Sequence, residues 1–278
     1  MATTQAKAAP KKKTGFQGIQ AAIWVIVFCF VAAVLVYKFV LGNPDNFQGG
    51  DPANAVKDGS LLGTIYKGGI VVPVIITLLF TVIALSIERW FALNTAFGKG
   101  KLPKFVSSIK EALNANDFAK AQKLCDDQRG TVANVVGASL RAYKEMEATS
   151  GMKKAQKIAK IQQAHEEATQ LEMPTLQMNM PILATLVTLG TLTALFGTVV
   201  GMIRSFAALA SGGGGDSPAL SEGISEALVN TASGILTSWC AVIAYNYYSN
   251  KIDKLTYALD EVGYTIAQTY EANHTEEA

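Results

Sequence analysis

Histidine and cysteine are scarce, two of the first and three of the second in 278 residues, which leaves little material for a metal centre or a nucleophilic catalytic site. Cys29 and Cys240 lie in apolar runs and Cys125 in a basic segment, without the spacing of a metal site or a disulfide framework. His165 stands beside Glu166 and Glu167 on a polar helix and reads as part of a solvated face, while His274 falls in the tail. No Ser-His-Asp, Cys-His or paired-carboxylate arrangement is present. Gly212 to Gly215 lacks both the Gly-Lys-Ser/Thr ending and the preceding strand of a phosphate loop, and is expected to be a flexible connector. The expectation is therefore a protein that is not an enzyme and needs no metal or cofactor. Charge is also sparse, at 17% of residues against 50% hydrophobic, a balance richer in apolar residues than an ordinary soluble domain.

Long apolar runs are what the chain has in abundance. Ile19 to Leu41, Gly69 to Leu93, Pro181 to Leu209 and Leu220 to Ser249 each reach the roughly 20 residues that cross a bilayer. The first follows a Lys-rich tail, as a signal peptide would, but it is longer than the roughly 7–15-residue core of one, so a retained helix is expected. Asn43 to Gly68 carries Pro44 and Pro52 and is expected to be a loop with at most one helical turn. Pro73, inside the first turns of the next run, is a candidate kink.

From Asn94 to Asn179 the chain is water-soluble in character. Leu102–Ala115, Asp117–Gln128, Thr131–Thr149 and Met152–Leu171 show helical spacing, broken at Asn116, Gly130 and Gly151. Lysines and arginines such as Lys99, Lys101, Lys104, Lys110 and Lys153 concentrate there, which places the segment in the cytoplasm. Its acids and its lack of interleaved aromatics argue against nucleic-acid binding. The resulting fold is an all-α integral membrane protein. It has a cytoplasmic tail over 1–18, an additional transmembrane helix over 19–41, a periplasmic loop over 42–68 and a transmembrane helix over 69–93. A helical cytoplasmic domain over 94–180, a transmembrane hairpin over 181–250 and a cytoplasmic helix and tail over 251–278 complete it, with both termini inside.

The hairpin is unusual in its small and hydroxylated residues. On its first helix Gly190, Thr191, Ala194, Gly197, Thr198, Gly201, Ser205 and Ala208 share one face, with Leu192, Leu195, Phe196, Val199, Ile203 and Phe206 opposite. On the second, Glu226, Asn230, Ser233, Gly234, Thr237, Ala241 and Ala244 share a face, with Thr231 and Ser238 at its flank. Small residues such as Gly190, Ala194, Gly197 and Gly201 let helices approach closely in lipid. Packing does not explain Glu226, which lies more than two turns beyond the expected cap Ser217 and Pro218, roughly 12 Å along the helix. A carboxyl at that depth is costly unless it meets protein or water, and is a functional candidate by default.

Leu195-Phe-Gly-Thr-Val-Val-Gly-Met-Ile-Arg-Ser-Phe206, followed by Ile224-Ser-Glu-Ala-Leu-Val-Asn-Thr-Ala-Ser-Gly-Ile-Leu236, resembles the paired pore helices of the ExbB/TolQ/MotA proton-channel family, closest to its ExbB branch. The resemblance extends in layout over Ile70 to Asn250. It implies a ring-shaped homo-pentamer in the bacterial inner membrane, with an ExbD-like single-helix subunit in the pore and a TonB-like protein transmitting force to the outer membrane. It implies a proton pathway through Thr198, Glu226 and Thr231, with Asn230, Ser233 and Thr237 as further polar residues of the pore lining. The helix over 19–41 is an addition to the three usual in ExbB-like chains, and Asn230 stands where related chains often carry a small or apolar residue. The alternatives are a TolQ-like or MotA-like stator subunit and a non-conducting scaffold. A stand-alone secondary transporter would need inverted repeats and broken helices, which the two halves do not show.

Overall fold

The computed structural model describes residues 22–212 and 218–274. The Lys-rich tail, the start of the first apolar run, the connector from Gly213 to Ser217 with its expected cap, and the last four residues lie outside the described residues. Helices account for nearly all regular structure, and among the described residues the one antiparallel bridge joins Phe47 to Val56. In order they are α1 (Ala22–Leu35), α2 (Leu61–Tyr66), α3 (Val72–Phe97), α4 (Leu102–Asn114), α5 (Phe118–Gln128), α6 (Gly130–Ala148), α7 (Lys154–Gln177), α8 (Met180–Gly212) and α9 (Pro218–Asn273). Four helical stretches are long and apolar enough to cross a membrane: Ile23–Leu41, and windows within Gly69–Asn114, Lys154–Ala210 and Pro218–Asn273. The chain is a membrane protein.

Two compact units emerge, one comprising residues 22–90 and 177–251, the other 91–176 and 252–274. In the first, α1 runs into a π-helical turn, Val36–Leu41, and presents only a narrow buried stripe, Cys29, Ala33 and Leu41. Ile23, Trp24, Phe28 and Phe39 are exposed, as suits a helix whose solvent is lipid. The segment between α1 and α3 is more structured than a loop with one helical turn. It contains the 3-10 turns Pro44–Asn46 and Gln48–Gly50 as well as α2, whose cap Ser60 accepts from the Gly63 N–H. Pro73 occupies the second position of α3, where its missing N–H leaves no bond unmade, so it opens the helix and does not kink one. At the other end of the span, Glu88 and Arg89 are fully buried and paired, and Asn179 Nδ2, on the residue just before α8, donates to Glu88 Oε2 at 3.2 Å. Tyr248 Oη donates to the Ser86 carbonyl at 2.6 Å and fastens α9 to α3.

The second unit packs α4, α5, α6 and α7 with the end of α9. Asp117 caps α5 through the Lys120 N–H, and Asn116 and Gly151 turn the chain with positive φ, 55° and 82°. Its core joins Phe105, Ile109, Leu113, Val132, Val136 and Tyr143 to a stripe at spacings of three and four on α9: Leu255, Leu259, Val262, Ile266, Tyr270. α7 runs on beyond Leu171 to Gln177, through Pro174. His165 is not on a solvated face. It is buried against α6, Nδ1 lies 2.9 Å from Ser139 Oγ, and the ring lies against Gly263, where a methyl group would collide with it.

Candidate functional site

The small faces of α8 and α9 meet each other. A Cβ on Gly190 would lie 2.5 Å from Ser238 Oγ, one on Gly197 would lie 2.5 Å from the Asn230 Cβ, and one on Gly201 would lie 2.7 Å from the Gly223 carbonyl. Gly234 is closed in the same way by Ala194. Residue numbers rise along one helix as they fall along the other, so this is an antiparallel hairpin held backbone against backbone. The large residues of both helices, among them Leu195, Phe196, Ile203, Leu228, Trp239 and Ile243, face away from the contact and are exposed.

Three polar rungs cross between the two helices. Thr191 Oγ1 and Ser238 Oγ lie 2.9 Å apart, Thr198 and Thr231 are joined hydroxyl to hydroxyl, and the Arg204 guanidinium meets the Glu226 carboxylate. In the middle rung Thr198 Oγ1 also lies 3.1 Å from the Ala194 carbonyl and Thr231 Oγ1 lies 3.0 Å from the Ala227 carbonyl. Two hydroxyl protons cannot serve three bonds, so one hydroxyl donates across the rung while the other keeps its own carbonyl. The two arrangements are equivalent in kind, and exchanging them reverses the direction of donation.

Glu226 is 4% exposed, and Arg204 Nη1 lies 2.6 Å from both of its oxygens, while half of the Arg204 side chain remains accessible. Sequence periodicity placed Glu226 on the small face but gave no sign of Arg204, 22 residues away across the connector. From a third direction Gly69, at a φ of +74°, brings its backbone so close that a side chain there would strike the carboxylate. A cavity of about 440 Å³ opens beside the pair, lined by Tyr37, Tyr66, Lys67, Gly69, Arg204, Glu222 and Glu226, among others.

The remaining polar residues divide. Asn230 and Thr237 are enclosed by their own chain, Asn230 donating from Nδ2 to the Gly68 carbonyl at 2.9 Å and Thr237 to the Ser233 carbonyl at 3.0 Å. Asn230 Oδ1 is buried without a partner. Ser233, Thr198 and Thr231 are half-buried and keep part of their surface for something outside the chain. Among the described residues no group of three or more His, Cys, Asp or Glu is placed to hold a metal ion.

The stretch that carries the buried acid, the facing hydroxyls and the glycine-packed hairpin has relatives among known proteins. The model of the MotA/TolQ/ExbB proton channel family fits residues 133–261, which takes in most of α6, all of α7 and α8, and α9 as far as residue 261. Over that stretch, a little under half of its length, the chain is similar to the MotA/TolQ/ExbB proton channel family. The Tol-Pal system protein TolQ of Pseudomonas aeruginosa is 26% identical over 79% of this chain and 94% of its own length. The protein named ExbB-like 1 of Synechocystis sp. is 29% identical over 66% of this chain and 69% of its own. TolQ of Haemophilus influenzae is 34% identical over a shorter stretch, 30% of this chain and 37% of its own. Both the ExbB and the TolQ branches are thus represented among the relatives.

Proposed function

We propose that this chain is the proton-conducting subunit of an energy-transducing motor in the bacterial inner membrane, assembled as a ring of five around the single membrane helix of an ExbD-like partner. The observation that carries the reading is Glu226, a carboxyl enclosed two turns inside an apolar helix with the Thr198–Thr231 rung about 7.5 Å further along the axis. Such a carboxyl in a low-dielectric site can take and release a proton, and a hydroxyl pair whose donation reverses can pass one on. Thr198, Thr231 and Ser233, which keep accessible surface, are the residues to line the path. The excess of Lys and Arg from Lys99 to Lys160 supports a topology with both termini and the helical unit in the cytoplasm and the Asn43–Gly68 segment outside.

The output is movement of one component within the other, passed by a TonB-like protein to outer-membrane receptors. A TolQ-like role is favoured by the length over which the Pseudomonas aeruginosa protein aligns. The two readings share the proton path and differ in the envelope process it drives. The test is Glu226→Gln, which keeps size and hydrogen-bonding capacity but cannot titrate. It is expected to abolish proton-motive-force-dependent siderophore or cobalamin uptake, or Tol-dependent envelope integrity, while the complex is recovered intact. Full function in both assays would leave a non-conducting scaffold.

A further inference from the structure

The helix preceding the family's common core is not loosely appended. Its π-helical end is gripped by the segment that follows: Asn46 Nδ2 donates to the Val40 and Leu41 carbonyls at 3.0 Å, and Tyr37 Oη donates to the Tyr66 carbonyl at 3.2 Å. The Tyr37 and Tyr66 rings stack with centroids 4.7 Å apart, and Phe47 meets Tyr66 edge-on. A Cβ on Gly42 would lie 2.8 Å from Tyr66 Cε2, so the approach is as close as a chain permits. The result is that Tyr37 is fixed as part of the wall of the cavity above Glu226.

That cavity is built for water. Lys67, itself paired with Glu222 at 2.9 Å, stands in the lining with Arg204 and Glu226. Lipid tails cannot satisfy four charged groups, and a volume of about 440 Å³ holds roughly a dozen water molecules. Within it the half-exposed Arg204 lies against the nearly inaccessible carboxylate, so the guanidinium stands between Glu226 and most of the cavity's water.

Resting on the proton-channel reading above, we propose that this cavity is the water-filled entry through which protons reach Glu226 from the side of the Asn43–Gly68 segment, that the additional helix supplies its wall through Tyr37, and that Arg204 is its gate. The carboxylate releases Arg204 as it takes a proton, and the guanidinium returns when the proton has left along the Thr198–Thr231 rung. Atoms and charge balance, since one proton enters and one leaves.

The test uses the full chain co-expressed with its natural small partner and reconstituted into vesicles, with Cys29, Cys125 and Cys240 replaced by alanine. In that background Ala219→Cys places a thiol on the cavity lining. Modification by a membrane-impermeant methanethiosulfonate, added on the side of the Asn43–Gly68 segment, is expected to remove most of the proton flux measured for the same sample before reagent. Complete modification with flux unchanged would overturn the entry. Tyr37→Ala is expected to speed that modification severalfold, and an unchanged rate would remove the additional helix from the proposal. Arg204→Met is expected to raise the proton leak of the reconstituted complex about tenfold, the factor matching one charge-assisted hydrogen bond, with Arg204→Lys restoring the seal. Leak no greater than in the parent would sink the gate. Glu226→Gln is measured alongside: retained flux there rejects the channel reading itself, whereas lost flux with harmless modification at position 219 rejects the entry alone.

Discussion

At the scale of single residues, the site depends on a glycine as much as on an acid. Gly69 adopts a left-handed φ that costs other residues about 1–2 kcal/mol, and the space where its side chain would stand is filled by the Glu226 carboxylate. Gly69→Ala is therefore expected to lower proton-driven activity strongly and to reduce thermal stability in detergent, whereas Gly59→Ala, also at positive φ but in open space, should cost only the backbone term. Thr198→Val and Thr231→Val remove the hydroxyls and keep the shape, so each should slow flux with the complex still assembled. Cys125 has its thiol pushed up to about 12 by burial, so it should resist thiol reagents at neutral pH while the protein is folded. His165 offers a pH test. Burial holds its pKa below the ordinary 6.5, with Asp260 and Glu166 pulling the other way, and Ser139 is the group hydrogen-bonded to its ring. A depressed folded pKa gives stability that is complete above about 6.5 and lost as pH falls through the folded value. The melting temperature should accordingly drop between pH 7 and pH 5 by more in the parent than in His165→Gln.

At the scale of elements, what matters is which helix covers which face. Gly201→Leu would set a side chain against the Gly223 carbonyl and the Ala227 N–H, at 2.7 and 2.8 Å from the first carbon alone, and should force α8 and α9 apart. Overpacking of this kind costs about 1–3 kcal/mol or prevents assembly, read as complex recovered after purification. Periodicity made much of this legible: the four apolar helices, the two faces of the hairpin, the breaks at Asn116, Gly130 and Gly151, and the depth of Glu226 all follow from spacing. Periodicity identifies a face without naming what lies against it. For that reason the Arg204 partner, the approach of Gly68 and Gly69, and the burial of His165 beneath Gly263 could not be read from the chain. His165 looked solvated because what covers it comes from α6 and from a helix almost 100 residues later, and the segment after α1 looked like a loop because two 3-10 turns leave little trace in sequence.

At the scale of the whole molecule, the exposed apolar faces of α1, α8 and α9 suit lipid, and in the proposed ring part of that surface would meet neighbouring copies. Native mass spectrometry of the complex with its small partner should give five copies of this chain, and another stoichiometry would displace the pentameric ring. Ser107→Cys, at an exposed position of α4 and with the three native cysteines removed, should escape impermeant reagents in intact spheroplasts yet react once the membrane is opened, and labelling in intact spheroplasts would invert the proposed topology. The hairpin sets one mechanical condition on any cycle such an assembly performs. At Gly190, Gly197, Gly201 and Gly234 one helix contributes no side chain and the other only Ser238, Asn230, Ala227 or Ala194, so the layer between α8 and α9 is too thin to yield much under load. The pair resists bending as a single bar about twice the width of a helix, and a passing proton can tilt or turn that bar but cannot shear it.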